Sequence, residues 1–328
     1  MSKPNHKKSR QTFPAKIFLC EFYAFAEKSS PQKFALACLL LGVFIFTNCK
    51  SENSNVPIQS PTREISDDLN RRVQIPAQVG RAVSLAPNLT EIAFAVGAGD
   101  RLVGITTFCN YPAETRKIQK IGDTQNPNIE NIIALKPQIV LVSTASQMEN
   151  FSKTLEQQGI MVFVTNPNSL EDIYKTVYQI GEIFGKNEEA HRVVSELKKR
   201  VADVEARTNS AKSTKVFLQI SNEPLFTIGK DSFLTDIISR AGGTSITSTV
   251  AAAYPKISKE TAFALNPDQI ILSDSEDNRE PNDVFKNSPA VKNSRVSKID
   301  ADLLSRPGPR IVDALEQMGR ALHPENFR

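Results

Sequence analysis

Most apolar residues of this chain fall into short, nearly unbroken runs of strand length. These are Arg81–Leu85, Leu102–Thr106, Gln138–Val142, Met161–Thr165, Val216–Ile220, Gln269–Leu272 and Val296–Ile299. Strands without a polar face suit parallel sheets covered on both sides. The stretches between them carry helical spacing. Ala86-Pro87-Asn88 turns into a helix with Thr90 and Glu91 in its first turn, Ile92, Ala93, Phe94 and Val96 as its apolar body, and Gly97 and Gly99 at its end. Another helix lies near Gln147–Gln158. Ser169 followed by Leu170, Glu171 and Asp172 is a capped helix start that runs to Phe184 and stops at Gly185. Asn187-Glu188-Glu189 opens a longer helix, striped by Val193, Val194, Leu197, Val201 and Val204, through about Arg207. At about 20 residues it measures roughly 30 Å, which suits a rigid spine between two lobes; a coiled-coil arm would ask for more heptads than it has. Phe226–Gly229 reads as extended, Ser232–Arg240 as a helix closed by Gly242-Gly243, Glu276–Asp283 as a charged loop, and Pro307–Leu322 as mostly a final helix. Strands alternating with helices give an α/β protein with parallel sheets.

One phrase occurs twice. Residues 128–143 (NIENIIALKPQIVLVS) and 258–273 (SKETAFALNPDQIILS) share a register offset of 130, which sets Glu130 on Glu260, Leu135 on Leu265, Pro137 on Pro267 and Ser143 on Ser273. Each copy is a short helix opened by a glutamate, a proline that stops it, and an apolar strand. The chain therefore carries two similar halves, each presenting an acid at the same place.

Charge changes the picture only at the N-terminus. The net charge is +4, but residues 1–48 hold seven lysines and arginines against two glutamates, so the chain from Cys49 onward is slightly acidic. No basic stripe is left for a nucleic acid. Within that leader, Phe34–Phe46 is an apolar run of thirteen residues, shorter than the roughly 20 of a membrane-spanning helix and suited to the core of a secretory signal. Cys49 follows it, then polar sequence to about Asp68 that reads as a flexible tether. A cysteine in that place resembles a bacterial lipoprotein signal, with Cys49 lipidated; a plain signal peptide and an uncleaved anchor are the alternatives. The division expected is leader 1–48, tether 49–70, first lobe 71–185, spine 186–208 and second lobe 209–328. With Cys20 and Cys38 in the leader, only Cys109 remains beside Cys49 in a mature lipoprotein, so no internal disulfide is expected.

Catalytic chemistry finds no positive support. The three histidines, His6, His191 and His323, have no ligand spacing. There is no phosphate loop, no GxSxG, and no GxGxxG after a strand. No enzyme activity, metal or cofactor is expected.

The segment Val83-Ser84-Leu85-Ala86-Pro87-Asn88-Leu89-Thr90-Glu91 with Phe94-Ala95-Val96-Gly97 resembles the opening of the iron-siderophore/vitamin B12 substrate-binding proteins of ABC importers. Further matches are Phe108-Cys109-Asn110-Tyr111-Pro112, Leu135-Lys136-Pro137, Ala241-Gly242-Gly243, and Arg306-Pro307 with Pro309-Arg310-Ile311. The resemblance runs from about Arg81 to Leu322 and is nearest the cobalamin-binding branch. It implies a class III periplasmic binding protein: two Rossmann-like lobes with parallel sheets, one long connecting helix, and a ligand held between the lobes by a monomer tethered to a membrane of the periplasm through a lipid anchor. It further implies that Glu130 and Glu260 dock onto the two subunits of an ABC permease dimer, a role that fits mirrored acids on two lobes; the plainer reading is that both acids favour helix N-termini. The residues expected at the ligand are Asn88, Phe108, Phe226, Tyr254, Asp302 and Arg306. Thr124 and Ser143 stand where a cobalamin binder has tryptophan, and this chain has none. A corrinoid is the expected ligand, with a ferric siderophore or haem as the alternative, and an exported enzyme on the same scaffold as the reading from another class.

Overall fold

A computed structural model describes residues 61–143 and 149–328, the side chains of 149–151 excepted. The leader and Cys49 lie outside the described residues. The first elements among the described residues are strands β1 (Thr62–Ser66) and β2 (Arg72–Pro76), an antiparallel hairpin. Residues 62–66, which the sequence reading placed in the tether, are a strand instead. β1 reads TREIS, with only Ile65 buried, so a single inward apolar residue concealed it among polar neighbours. Asp67, at the turn, accepts from the amides of Leu69 and Arg71 and pairs with the Arg71 guanidinium at 2.8 Å. Asp68 takes the amide of Asn166 and the Lys175 ammonium, each at 2.7–2.8 Å, tying the hairpin to the first lobe.

That lobe contains β3 (Ala82–Ser84), α1 (Pro87–Ala95), β4 (Leu102–Ile105), α2 (Ile129–Ala134), β5 (Ile139–Ser143), α3 (Glu149–Gln157), β6 (Met161–Thr165) and α4 (Leu170–Phe184). α4 is capped by the Ser169 hydroxyl and closed by Gly185 at φ 67°, where a side chain would strain the backbone. The spine α5 (Asn187–Thr208) has 22 residues, about 33 Å of helix. The second lobe follows with β7 (Thr214–Gln219), α6 (Phe233–Arg240), β8 (Gly243–Ser245), α7 (Lys259–Leu265), β9 (Gln269–Asp274), α8 (Pro289–Lys292), β10 (Val296–Asp300), α9 (Ala301–Ser305) and α10 (Ile311–Leu322). Phe226–Gly229 is not a strand; Phe226 makes isolated bridges to Ser221 and Lys256. The edge strand β8 and the single-turn α9 are too short to leave a period in the sequence.

The two parallel sheets have the same order, β4-β3-β5-β6 and β8-β7-β9-β10. The repeat extends to backbone detail. Asn128 caps α2 by accepting from the Asn131 amide, and Ser258 caps α7 by accepting from the Thr261 amide. Lys136 (φ 48°) and Asn266 (φ 47°), again 130 apart, take the left-handed conformation between helix and proline.

Continuous apolar strands are explained by layers on both faces. In β5, Ile139 and Leu141 face a cluster shared with α1 and α4, while Val140 and Val142 face a second cluster with Ile132. In the second sheet, Val216, Leu218 and Ile271 face inward, and Phe217, Ile270 and Leu272 pack outward around Phe285. The inward cluster is continuous: it runs from Leu89 and Ile92 on α1 through Val177 and Ile180 on α4 and Val194, Leu197 and Val201 on α5 to Ile237 on α6 and Leu315 and Met318 on α10. Each such buried side chain contributes about 1.5–3 kcal/mol, so the spine is fixed to both lobes along its length.

Candidate functional site

In an open parallel sheet, the loops that leave neighbouring strands in opposite directions part at the strand C-terminal ends and leave a crevice there. In the first lobe this point lies between β3 and β5. Ala86, Pro87 and Asn88 follow β3, Ser143 ends β5, and Asn166, Pro167 and Asn168 follow β6. All of them line one cleft of about 520 Å³. Thr124 completes this wall, and the second lobe supplies Asp231, Ser232, Phe233, Ala253, Tyr254, Ser305 and Pro307. Asn88 reaches across, its carboxamide donating to the Pro307 carbonyl at 3.3 Å.

The equivalent crevice of the second lobe is plugged. Gln219, at the end of β7, is fully buried and holds the loop that follows β9. Its amide nitrogen donates to Asn278 Oδ1 at 2.6 Å and to the Glu280 carbonyl at 2.9 Å, and its Oε1 accepts from the Asn282 amide at 2.8 Å. Asn278 donates in turn to the carbonyls of Gln219 and Ser273. The second lobe therefore meets the cleft through other loops, chiefly the one carrying Ala253 and Tyr254. That loop packs on Gly229, whose amide donates to the Ala253 carbonyl at 3.0 Å. A side chain at Gly229 would collide with the carbonyls of Ala252 and Val250.

Of the six expected ligand residues, Asn88 and Tyr254 line the cleft. Tyr254 is partly exposed, yet desolvation raises its phenol above the ordinary pKa, and a hydrogen bond to Ser232 opposes the shift. Arg306, Asp302 and Phe108 gather beside the cleft rather than on its wall. The buried Arg306 guanidinium pairs with Glu91 at 2.9 Å and Asp302 at 2.6 Å, and donates to Asn110 Oδ1 and the Phe108 carbonyl. Phe108 as a residue is 58% exposed. Phe226 is partly buried and not on the cleft wall. Glu91 was legible only as a helix-start acid; nothing in its local sequence marks a partner more than 200 residues away. Asn166 and Asn168 could have been found from their place directly after a strand.

Glu130 and Glu260 are both exposed. Each stands in the first turn of a helix that leads back to the start of the next strand, so each lies at the crevice end of its own sheet. The Glu260 carboxyl is held below its ordinary pKa by its own backbone amide first and by the Ser258 hydroxyl second. Cys109 is buried and shares hydrogen bonds with the hydroxyls of Thr90 and Thr106 at 3.2 Å, a packed thiol. Among the described residues, no group of three or more His, Cys, Asp or Glu could hold a metal ion, and no helix is long and apolar enough to cross a membrane.

Comparison with known proteins agrees with this architecture. A family model described as periplasmic binding protein matches residues 83–303. The chain belongs to the periplasmic binding protein family. This family member is 32% identical over 307 residues to an uncharacterized ABC transporter substrate-binding lipoprotein, YvrC, of Bacillus subtilis, covering 89% of this chain and 97% of that one. It is 28% identical over 241 residues to the vitamin B12-binding protein of Vibrio parahaemolyticus, covering 72% of this chain and 87% of the relative. Its fold superposes on the crystal structure of the periplasmic vitamin B12 binding protein BtuF of Vibrio cholerae with a TM-score of 0.67 and 26% identity, over 77% of this chain and all of that one. The expected two-lobed α/β architecture is thus the one observed.

Proposed function

We propose that this periplasmic binding protein is the lipid-tethered substrate-binding component of an ABC importer, and that it captures a corrinoid between its lobes and delivers it to a permease dimer. The importer role and the lipid tether are supported by the likeness to the Bacillus subtilis lipoprotein, and the corrinoid by the likeness to vitamin B12-binding proteins. The observation that carries the ligand class is the chemistry of the cleft. Its described lining presents three asparagines, several hydroxyls, Phe233 and Tyr254, and a single charged residue, Asp231. Carboxamides and hydroxyls both donate and accept, which suits a macrocycle rimmed with amides, and the aromatic rings supply flat apolar contact. Haem or a carboxylate siderophore would ask for a cation or a phenolate. Arg306 is already paired with Glu91 and Asp302, and burial opposes ionisation of Tyr254. Function is binding and release; no reactive group is required.

The test is titration of the purified protein with cyanocobalamin, dicyanocobinamide, haemin and a ferric hydroxamate. Saturation by the two corrinoids at micromolar concentration is expected. Saturation by haemin or the hydroxamate, with none by either corrinoid, overturns the ligand assignment.

A further inference from the structure

Glu91 is the only carboxylate on α1, and its side chain is 2% exposed. Both charges that face it come from the other lobe. Arg306 Nη1 donates to Glu91 Oε1 at 2.9 Å; Arg310 Nη2 donates to the same oxygen at 2.6 Å, and Arg310 Nε donates to Oε2 at 2.9 Å. A carboxylate so buried is tolerable only when paired and hydrogen-bonded, and here the whole pairing crosses between lobes. The arginines also hold the loop 107–112 beside the cleft. Arg306 donates to Asn110 and to the Phe108 carbonyl, and the Arg310 guanidinium lies 4.2 Å from the Tyr111 ring centroid. Asp302 pairs with Arg306 and accepts from Asn110 at 3.0 Å. Two acids and two arginines leave the cluster neutral.

We propose that Glu91, Arg306 and Arg310 form a clasp between the lobes that sets the opening of the cleft and fixes the loop 107–112, so that Arg306 acts as a positioning residue rather than a ligand contact. Its neighbours Ser305 and Pro307 line the cleft, so any change in the clasp moves the wall directly. The clasp is local, whereas the spine is held by the apolar core. Loss of the clasp therefore frees that loop and the α9–α10 junction without loosening α4 or α5.

Hydrogen exchange read by mass spectrometry on the purified protein tests this without any ligand. In Glu91→Gln, exchange across 106–112 and 302–310 is expected to rise about tenfold, with 173–184 and 190–206 unchanged. Unchanged protection at the first two segments overturns the proposal. A uniform rise across all four also overturns it, because the cluster would then serve global stability alone. Should Glu91→Gln fail to fold, Arg310→Lys keeps the charge, removes the bidentate fork, and is read in the same way. Haemin and cobinamide titrations of these variants stay separate, so a wrong ligand assignment leaves this test intact.

Discussion

Replacing Asn278 with alanine should open the plugged crevice of the second lobe. Asn278 is 1% exposed, and its carboxamide makes three hydrogen bonds: it accepts from Gln219 Nε2 at 2.6 Å and donates to the carbonyls of Gln219 and Ser273, each at 2.9 Å. Alanine removes all three. Each is worth about 1 kcal/mol net, and more where a buried partner is left unsatisfied. Gln219 Nε2 keeps the Glu280 carbonyl at 2.9 Å, which offsets part of the loss and leaves an expected cost of about 2–3 kcal/mol. With a urea dependence of about 2–3 kcal/mol per molar, the unfolding midpoint should fall by about 1 M. Asn278→Asp should cost at least as much, since a carboxylate cannot donate and its charge would be buried. Circular dichroism in urea measures both. A midpoint lowered by less than about 0.3 M at unchanged slope would refute the argument that this side chain holds the plug.

Tyr174 offers a pH test. Its hydroxyl is buried without a hydrogen-bond partner among the described residues, and burial first, with Glu171 second, pushes the phenol up to about 12. A raised folded-state value means that stability is fully present below the unfolded value near 10 and is lost as pH rises from there through about 12. Tyr174→Phe should therefore match or exceed the parent at neutral pH by up to about 1 kcal/mol and should lose less between pH 9 and 11; parallel melting curves for the two proteins would count against this. At the two lobes' acids, Glu130→Lys with Glu260→Lys should abolish uptake in cells while leaving corrinoid titration unchanged, and uptake at the parental rate would reject a docking role.

The elements with a strong local signature were legible. β5 and β9 announce themselves as unbroken apolar runs, α4 by its serine cap and closing glycine, and the 130-residue repeat by its matched glutamate, leucine and proline. The cleft wall was half legible: Asn88 follows from its place at a strand tip, Tyr254 from the aromatic residues that a flat ligand asks for. What the sequence concealed are features made by distant pairing. β1 shows a single inward residue, Ile65, and becomes a strand only against β2. Glu91 reads as an acid of a first helical turn, but the helix begins at Pro87 and puts it in the second turn, and its arginine partners lie on the last elements of the chain. The plug is hidden in a charged stretch in which only Asn278 and Asn282 are buried, and polar residues that satisfy strand ends carry no periodicity.

The continuous apolar seam through the spine bears on how this molecule melts. Two lobes joined by a bare linker would give two calorimetric transitions, each with its own enthalpy. Here α5 shares its buried face with α1 and α4 on one side and α10 on the other, so neither lobe can unravel without exposing the inward face of its neighbour. Heating should produce one endotherm for the whole body, with calorimetric and van't Hoff enthalpies in agreement, even though the chain passes between the halves only once.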